Sequence, residues 1–313
     1  MTVPLITPAP IFAPPPAGGL HLSRQRYTLR SLGLQWSGFP GALLHSGLGM
    51  MLAQVSPEVF TTFIGGEDAR LGEPSRPRPW WMLPPLDARL AFAPGDDVQF
   101  DLFFANPQAH WAETCAQALT ALGQAGVGKS RGRFVLLRHE PVPWEMPGEQ
   151  GARGTNGTVP IGRMLESARM PPNGGHLGVQ LITPLRMKGE RGLVQQAPSG
   201  TLFMQRLLAR AAMLSGVRVH DLPLTALALE QAAMLRITQQ DLHWDDLSRY
   251  SARQQAEVPL GGLTGWLRYS SNGPLDAAFA WLSVGEWLQV GTKTTFGLGA
   301  YRLVPGRVSD GPL

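Results

Sequence analysis

A helix-like segment, a loop carrying glycines and a lysine, and a short apolar run occur twice in this chain, about 165 residues apart. The first copy begins with the helical pattern His110 to Leu122, which sets Trp111, Cys115, Ala118, Leu119 and Leu122 on one face. It continues through Gly126-Val127-Gly128-Lys129-Ser130-Arg131-Gly132-Arg133 into Phe134-Val135-Leu136-Leu137. The second copy has the helical pattern Leu275 to Leu288, then Gly291-Thr292-Lys293-Thr294-Thr295-Phe296-Gly297-Leu298-Gly299, then the run Ala300 to Val304. Such a repeat reads as a diverged internal duplication. Each half offers strand, helix, strands, helix and strand, which is the order of a ferredoxin-like fold. The expected class is therefore α+β, with two tandem ferredoxin-like domains of the RRM-like kind.

The length agrees, because 313 residues suit two domains of roughly 150 each better than one core. The expected division is a proline-rich arm over 1–19, a first domain over 20–142, a Gly-, Pro- and Arg-rich linker and basic loop over 143–175, and a second domain over 176–313. In the first domain, Arg24 to Trp36 alternates as a strand and Ala42 to Leu52 is apolar on a helical period. Arg78 to Pro85 and Val98 to Phe104 read as further strands, and the second domain opens with the strand beginning at His176.

Glycine permits positive φ and the close approach of another backbone, and successive free N–H groups in such a turn form an anion-binding concavity. Gly291, Lys293, Thr294, Gly297 and Gly299 are thus candidates to hold a phosphate, with Lys293 as a point charge. No Gly-Lys-Ser/Thr opens a following helix, so this is not a nucleotide P-loop. A tight helix-to-strand turn that needs glycine for geometry alone explains the spacing equally well. The net charge of +4 sits on a chain only 16% charged, which points to an anionic partner. Arg153, Arg163, Arg169, Arg186, Lys188 and Arg191 gather around the linker and the strand after it, as a salt-dependent grip on phosphates would. A solvated loop with ordinary surface arginines is the competing reading. The single Cys115 excludes an internal disulfide framework and a multi-cysteine zinc site. No apolar run reaches the ~18 residues of a membrane span, so a cytoplasmic protein without membrane partners is expected. The tryptophans fall mostly on strands and apolar helix faces, so core packing is expected for all but Trp144.

Several stretches in order resemble the CRISPR repeat-processing endoribonucleases of the RAMP superfamily. They are Leu181-Ile182-Thr183-Pro184-Leu185-Arg186, Arg249 to Gln254 followed by Leu260 to Gly265, and Gly291 to Leu303. In the first half, Gly41 to Gly49 and Trp81 to Leu86 carry the same likeness. The resemblance implies a metal-independent ribonuclease without cofactors. It would cut CRISPR repeat RNA to guide RNA by turning the 2′-hydroxyl onto the adjacent phosphate, leaving a 2′,3′-cyclic phosphate. It also implies a catalytic histidine early in the first helix, which is His45, with Tyr27 on the preceding strand as its partner. The lysine that relatives often keep in that helix is missing between His45 and Glu58, so Lys129, Lys293 or an arginine such as Arg30 must supply the charge. Lys129 and Arg131 in the first glycine loop join the expected RNA contacts. Two other readings compete. One is a non-catalytic RAMP subunit that holds guide RNA among the other subunits of a CRISPR effector complex. The other is an unrelated two-domain protein with a structural glycine turn and a merely packed His45.

Overall fold

Strand β1 (His21–Ser31) alternates in burial and organises the first half. A computed structural model describes residues 19–65, 78–144, 157–169, 175–251 and 256–304 of the chain. After β1, Pro40 opens helix α1 (Pro40–Val55), where its missing N–H costs nothing. Ser56 ends that helix and caps the next, α2 (Pro57–Ile64), by accepting the Val59 N–H. Strand β2 (Trp80–Leu83), strand β3 (Asp97–Ala105), helix α3 (Trp111–Ala125) and strand β4 (Phe134–Pro141) complete the unit. The sheet is antiparallel in the order β2-β3-β1-β4, with Tyr27 opposite Phe100 and Arg24 opposite Phe103. The three helices bury Tyr27, Leu29, Trp80, Phe100 and Phe104 beneath one face.

The segment expected to be linker and basic loop is, in its described part, folded. Strand β5 (Thr158–Pro160) pairs with β1, and helix α4 (Ile161–Ser167) buries Ile161, Met164 and Leu165. Those three apolar residues share a helix face, and Ile161 donates its N–H to the Leu20 carbonyl. The glycines and prolines around them concealed this short amphipathic turn.

The second half repeats the order. Strand β6 (His176–Leu185) is followed by a small hairpin of β7 (Lys188–Gly189) and β8 (Gly192–Leu193). Helices α5 (Gly200–Ser215) and α6 (Thr225–Met234) lead to β9 (Arg236–Asp245). A second hairpin, β10 (Ser248–Ser251) with β11 (Ala256–Pro259), precedes β12 (Gly262–Ser270). Helix α7 (Asp276–Leu288) and strand β13 (Tyr301–Val304) close the unit. This sheet runs β13-β6-β12-β9, so each half seats its last strand beside its first. Both halves are ferredoxin-like, as the repeat implied. Among the described residues no helix is long and apolar enough to cross a membrane.

The two halves share one core. On the face of the first sheet away from its helices, Leu22, Trp81 and Phe103 join α4 and the second half in a single cluster. The indole N–H of Trp81 donates to the Trp287 carbonyl at 2.7 Å, and the Gln289 amide donates to the Met82 carbonyl at 2.7 Å. Trp144, expected to be free for base stacking, meets Trp287 edge-on at 5.5 Å and donates to Ser167 Oγ. It is packing material. Trp266, expected in the core, is only half-buried on β12, beside Gln180 of β6 and Asp241 of β9.

Candidate functional site

Neighbouring residues on a strand point to opposite faces, and Trp80 and Trp81 use this to serve two places at once. Trp81 faces the seam between the halves. Trp80 faces the helices, where its ring lies 5.4 Å from His45 and its N–H donates to the Phe63 carbonyl. His45 is 9% exposed and is covered on one side by Phe296, whose ring stacks at 3.9 Å and 21°. Arg78, just before β2, reaches the Nε2 of His45 at 3.3 Å and donates to the Ile64 carbonyl. A guanidinium has no acceptor, so Nε2 accepts there and the ring proton sits on Nδ1 in that arrangement.

Phe296 arrives from the second half on the glycine-rich stretch, which links α7 to β13. Its Val290 N–H donates to the Gly299 carbonyl, and Gly299 donates to Pro184 of β6. Thr292 donates both N–H and Oγ1 to the Arg186 carbonyl, at 2.8 and 3.1 Å. The loop is pinned to β6 and leans on the start of α1. There, Gly41 leaves room for the Phe296 carbonyl that any side chain would strike. Ala42, Phe296, Leu298 and Leu260 form a small apolar cluster at this junction.

The glycines expected to admit an RNA backbone admit the protein instead. Gly297 and Gly299 have φ of +87° and +82°, and a Cβ on either would collide with Pro84 or with the Val290 carbonyl. Gly291 likewise faces the Arg186 carbonyl. Thr294 is buried. Of the loop's candidates only Lys293 stands exposed, with a left-handed backbone and its Nζ 5.9 Å from the Phe296 ring centre.

Tyr27 does not join His45. It is fully buried, its hydroxyl donates to the Ala112 carbonyl at 2.9 Å, and burial raises its pKa well above the usual phenol value. It shares a strand face with Leu29, and that face is core. Cys115 is buried too, and burial pushes its thiol up.

The expected basic contacts divide. Lys129 and Arg131 are exposed in the first glycine loop, which touches the other flank of the α1 start through Ser37 and Leu43. Arg186 donates to the Gly261 carbonyl at 2.6 Å and so ties β6 to the strand after the second hairpin; Lys188 is exposed on β7. Arg163 and Arg169 are exposed on and just after α4, which packs on the face of the first sheet opposite α1. They do not line the His45 site. Arg153 lies outside the described residues. Arg30 is paired with Asp97 at 2.9 Å and is unavailable as the missing charge without breaking that pair. Arg78 is the cation that sequence reasoning passed over. It stands two residues before Trp80, the first residue of β2, whose ring packs on the helix face. Among the described residues no three His, Cys, Asp or Glu side chains gather as a metal would require.

The comparisons with known proteins fit this architecture. Residues 179–301 match the family model described as CRISPR-associated endoribonuclease Cas6, and residues 57–149 match one described as an N-terminal domain. No curated protein of matching sequence was found. Among solved structures, a Cas6 product complex is 18% identical, with a TM-score of 0.58 over 90% of this chain and 99% of that one. Thermus thermophilus Cas6 is 16% identical, with a TM-score of 0.56 over 91% of this chain and 99% of its own. A partial Cas6-RT-Cas1–Cas2 complex is 17% identical with a TM-score of 0.62; this chain is covered over 95% but spans only 48% of that one. The resemblance read from the sequence thus meets a family model over the second half, and the solved structures share the two-domain fold.

Proposed function

We propose that the chain is an endoribonuclease that cuts CRISPR precursor RNA within its repeat, without a metal, by attack of a 2′-hydroxyl on the adjacent phosphate. The observation that carries this reading is the meeting of His45 with the glycine-rich loop of the other half, since Phe296 on that loop stacks at 3.9 Å. The reaction needs a base for the 2′-hydroxyl, an acid for the leaving 5′ oxygen and positive charge on the phosphorane. His45 supplies acid–base capacity, because an imidazole changes charge near neutral pH. Its Nε2 lone pair, held by Arg78 in the free protein, is the atom that takes the proton. Arg78 and the exposed Lys293 supply the charge that the first helix lacks. Lys129 and Arg131 extend the phosphate contacts along the other flank of α1.

Access requires the rings over His45 to part, because only 9% of it is exposed. RNA that displaces Arg78 from Nε2 and shifts Phe296 would open the site without moving either sheet. Incubation of the pure protein with a repeat RNA in EDTA tests the reading. The expected product carries a 2′,3′-cyclic phosphate and leaves a 5′-hydroxyl on the other fragment. Tight binding without cleavage would instead make this a subunit that only holds guide RNA.

A further inference from the structure

Both rings that flank His45 are anchored at one point on the far side of the first sheet. Arg210 of α5 is 8% exposed, and its Nε donates to the carbonyl of Leu288, the last residue of α7, at 2.6 Å. Its guanidinium carbon lies 4.8 Å from the ring centre of Trp81, and Trp81 in turn donates to Trp287 at 2.7 Å. The α7 C-terminus, the negative end of a helix dipole, therefore receives one donor from each half of the molecule. Among the described residues no carboxylate pairs with Arg210 and its Nη2 has no hydrogen-bond partner, and burial lowers the pKa. A buried guanidinium without a counter-ion is an expensive way to fill space, and an apolar side chain of that volume would cost less. Its value lies in direction. A guanidinium fixes the angle between a helix end and an indole plane, as a methylene chain cannot.

Two routes lead from this node to His45. Along β2, Trp81 is followed backwards by Trp80, one of the flanking rings. Along the chain after α7, Gln289 takes a left-handed φ of +58° and grips the Met82 carbonyl. Val290 then pairs with Gly299, and the loop they close carries Phe296, the other flanking ring. We propose that Arg210 and Trp81 form an inter-domain clamp whose task is to position Trp80 and Phe296 around His45, so that Arg210 is a positioning residue for cleavage. The step from positioning to rate rests on the reading of His45 as the acid–base group. The geometric part does not.

The clamp can be tested with Arg210→Met, which keeps volume and removes direction, and Arg210→Lys, which restores a donor. Two quantities are measured below the melting temperature of each variant. One is the single-turnover cleavage rate at saturating repeat RNA together with RNA affinity. The other is the ring-current displacement of the His45 imidazole protons by NMR, assigned with His45→Ala. Loss of a well-set geometry can cost as much as 100-fold in rate even from a distant change. Arg210→Met is expected to cut about 10- to 100-fold more slowly with affinity within a few-fold, and to lose most of the ring-current displacement. Arg210→Lys is expected to recover a good part of both. Wild-type resonances and rate in a folded Arg210→Met protein would overturn the clamp. If that variant does not fold, Trp81→Phe decides on the same two readouts, because it keeps a ring under the guanidinium but deletes the donor to Trp287. Should the wild-type protein not cleave at all, the functional reading falls, while the ring-current result still rules for or against the clamp.

Discussion

The two glycine-and-lysine loops sit at the same place in their halves, between the last helix and the last strand, yet they do different things. The first, after α3, closes on itself: Val127 bridges Gly132, and the exposed Lys129 and Arg131 crown a short turn. The second, after α7, crosses to the other half and is buried there at Thr294, Phe296, Gly297 and Leu298. Both flank the start of α1, one through Ser37 and Leu43, the other through Gly41 and His45. The same helix–loop–strand arrangement thus carries two equivalent turns, and only the second is built into the seam. The lesson is that a glycine-rich loop can look like an anion cradle when its glycines are spent on the protein's own close contacts.

Valine scanning of the two loops offers the sharpest contrast. Gly299→Val adds a branched Cβ at positive φ against a backbone carbonyl that cannot move aside, so about 3–5 kcal/mol of stability should be lost in urea unfolding. Gly128→Val meets mainly the tip of the Ser37 side chain, which can turn away by giving up an exposed hydrogen bond from the Lys129 N–H, so the backbone strain of about 1–3 kcal/mol should dominate. Equal losses would erase the distinction between a seam loop and a free turn.

The lysines should differ in the opposite sense, in binding and not in folding. Lys293→Ala is expected to weaken repeat RNA binding about tenfold, the size of one charge-assisted phosphate contact, with unchanged melting. Lys129→Ala should cost about threefold or less and lower the salt slope slightly. A reversed ranking in a filter-binding titration would move the RNA path to the first loop.

A smaller effect is expected at Tyr27. Tyr27→Phe removes one hydrogen bond to Ala112, worth about 0.5–1.5 kcal/mol, and should leave the cleavage rate within twofold. A large loss of rate at unchanged stability would return Tyr27 to the site.

What the sequence disclosed was local. The helix–loop–strand repeat spans a few dozen residues and carries its own periodicities, so the two ferredoxin-like units were legible. The resemblance pointed to His45, but the arrangement around it was not legible, because it joins His45, Arg78 and Phe296 from three distant stretches. Tyr27 was expected beside His45, but it shares its side of β1 with Leu29, and the core covers both. The neighbours Trp80 and Trp81 could have warned that β2 is buried on both sides, which a surface strand of a lone domain is not. Ile161, Met164 and Leu165 form a helical face that the surrounding glycines, prolines and arginines masked. Arg78 offered no periodic signal, and only the fold brings it to His45.

The central claim is that the seam between the halves, with His45 beneath the second glycine loop, is where RNA is cut. The most direct measurement is single-turnover cleavage of a repeat RNA in EDTA by His45→Ala beside the unaltered protein, with affinity measured on the same samples. An acid–base group acts mainly in the transition state, so cleavage should vanish while affinity stays within a few-fold. Cleavage by His45→Ala at the unaltered rate would contradict the account.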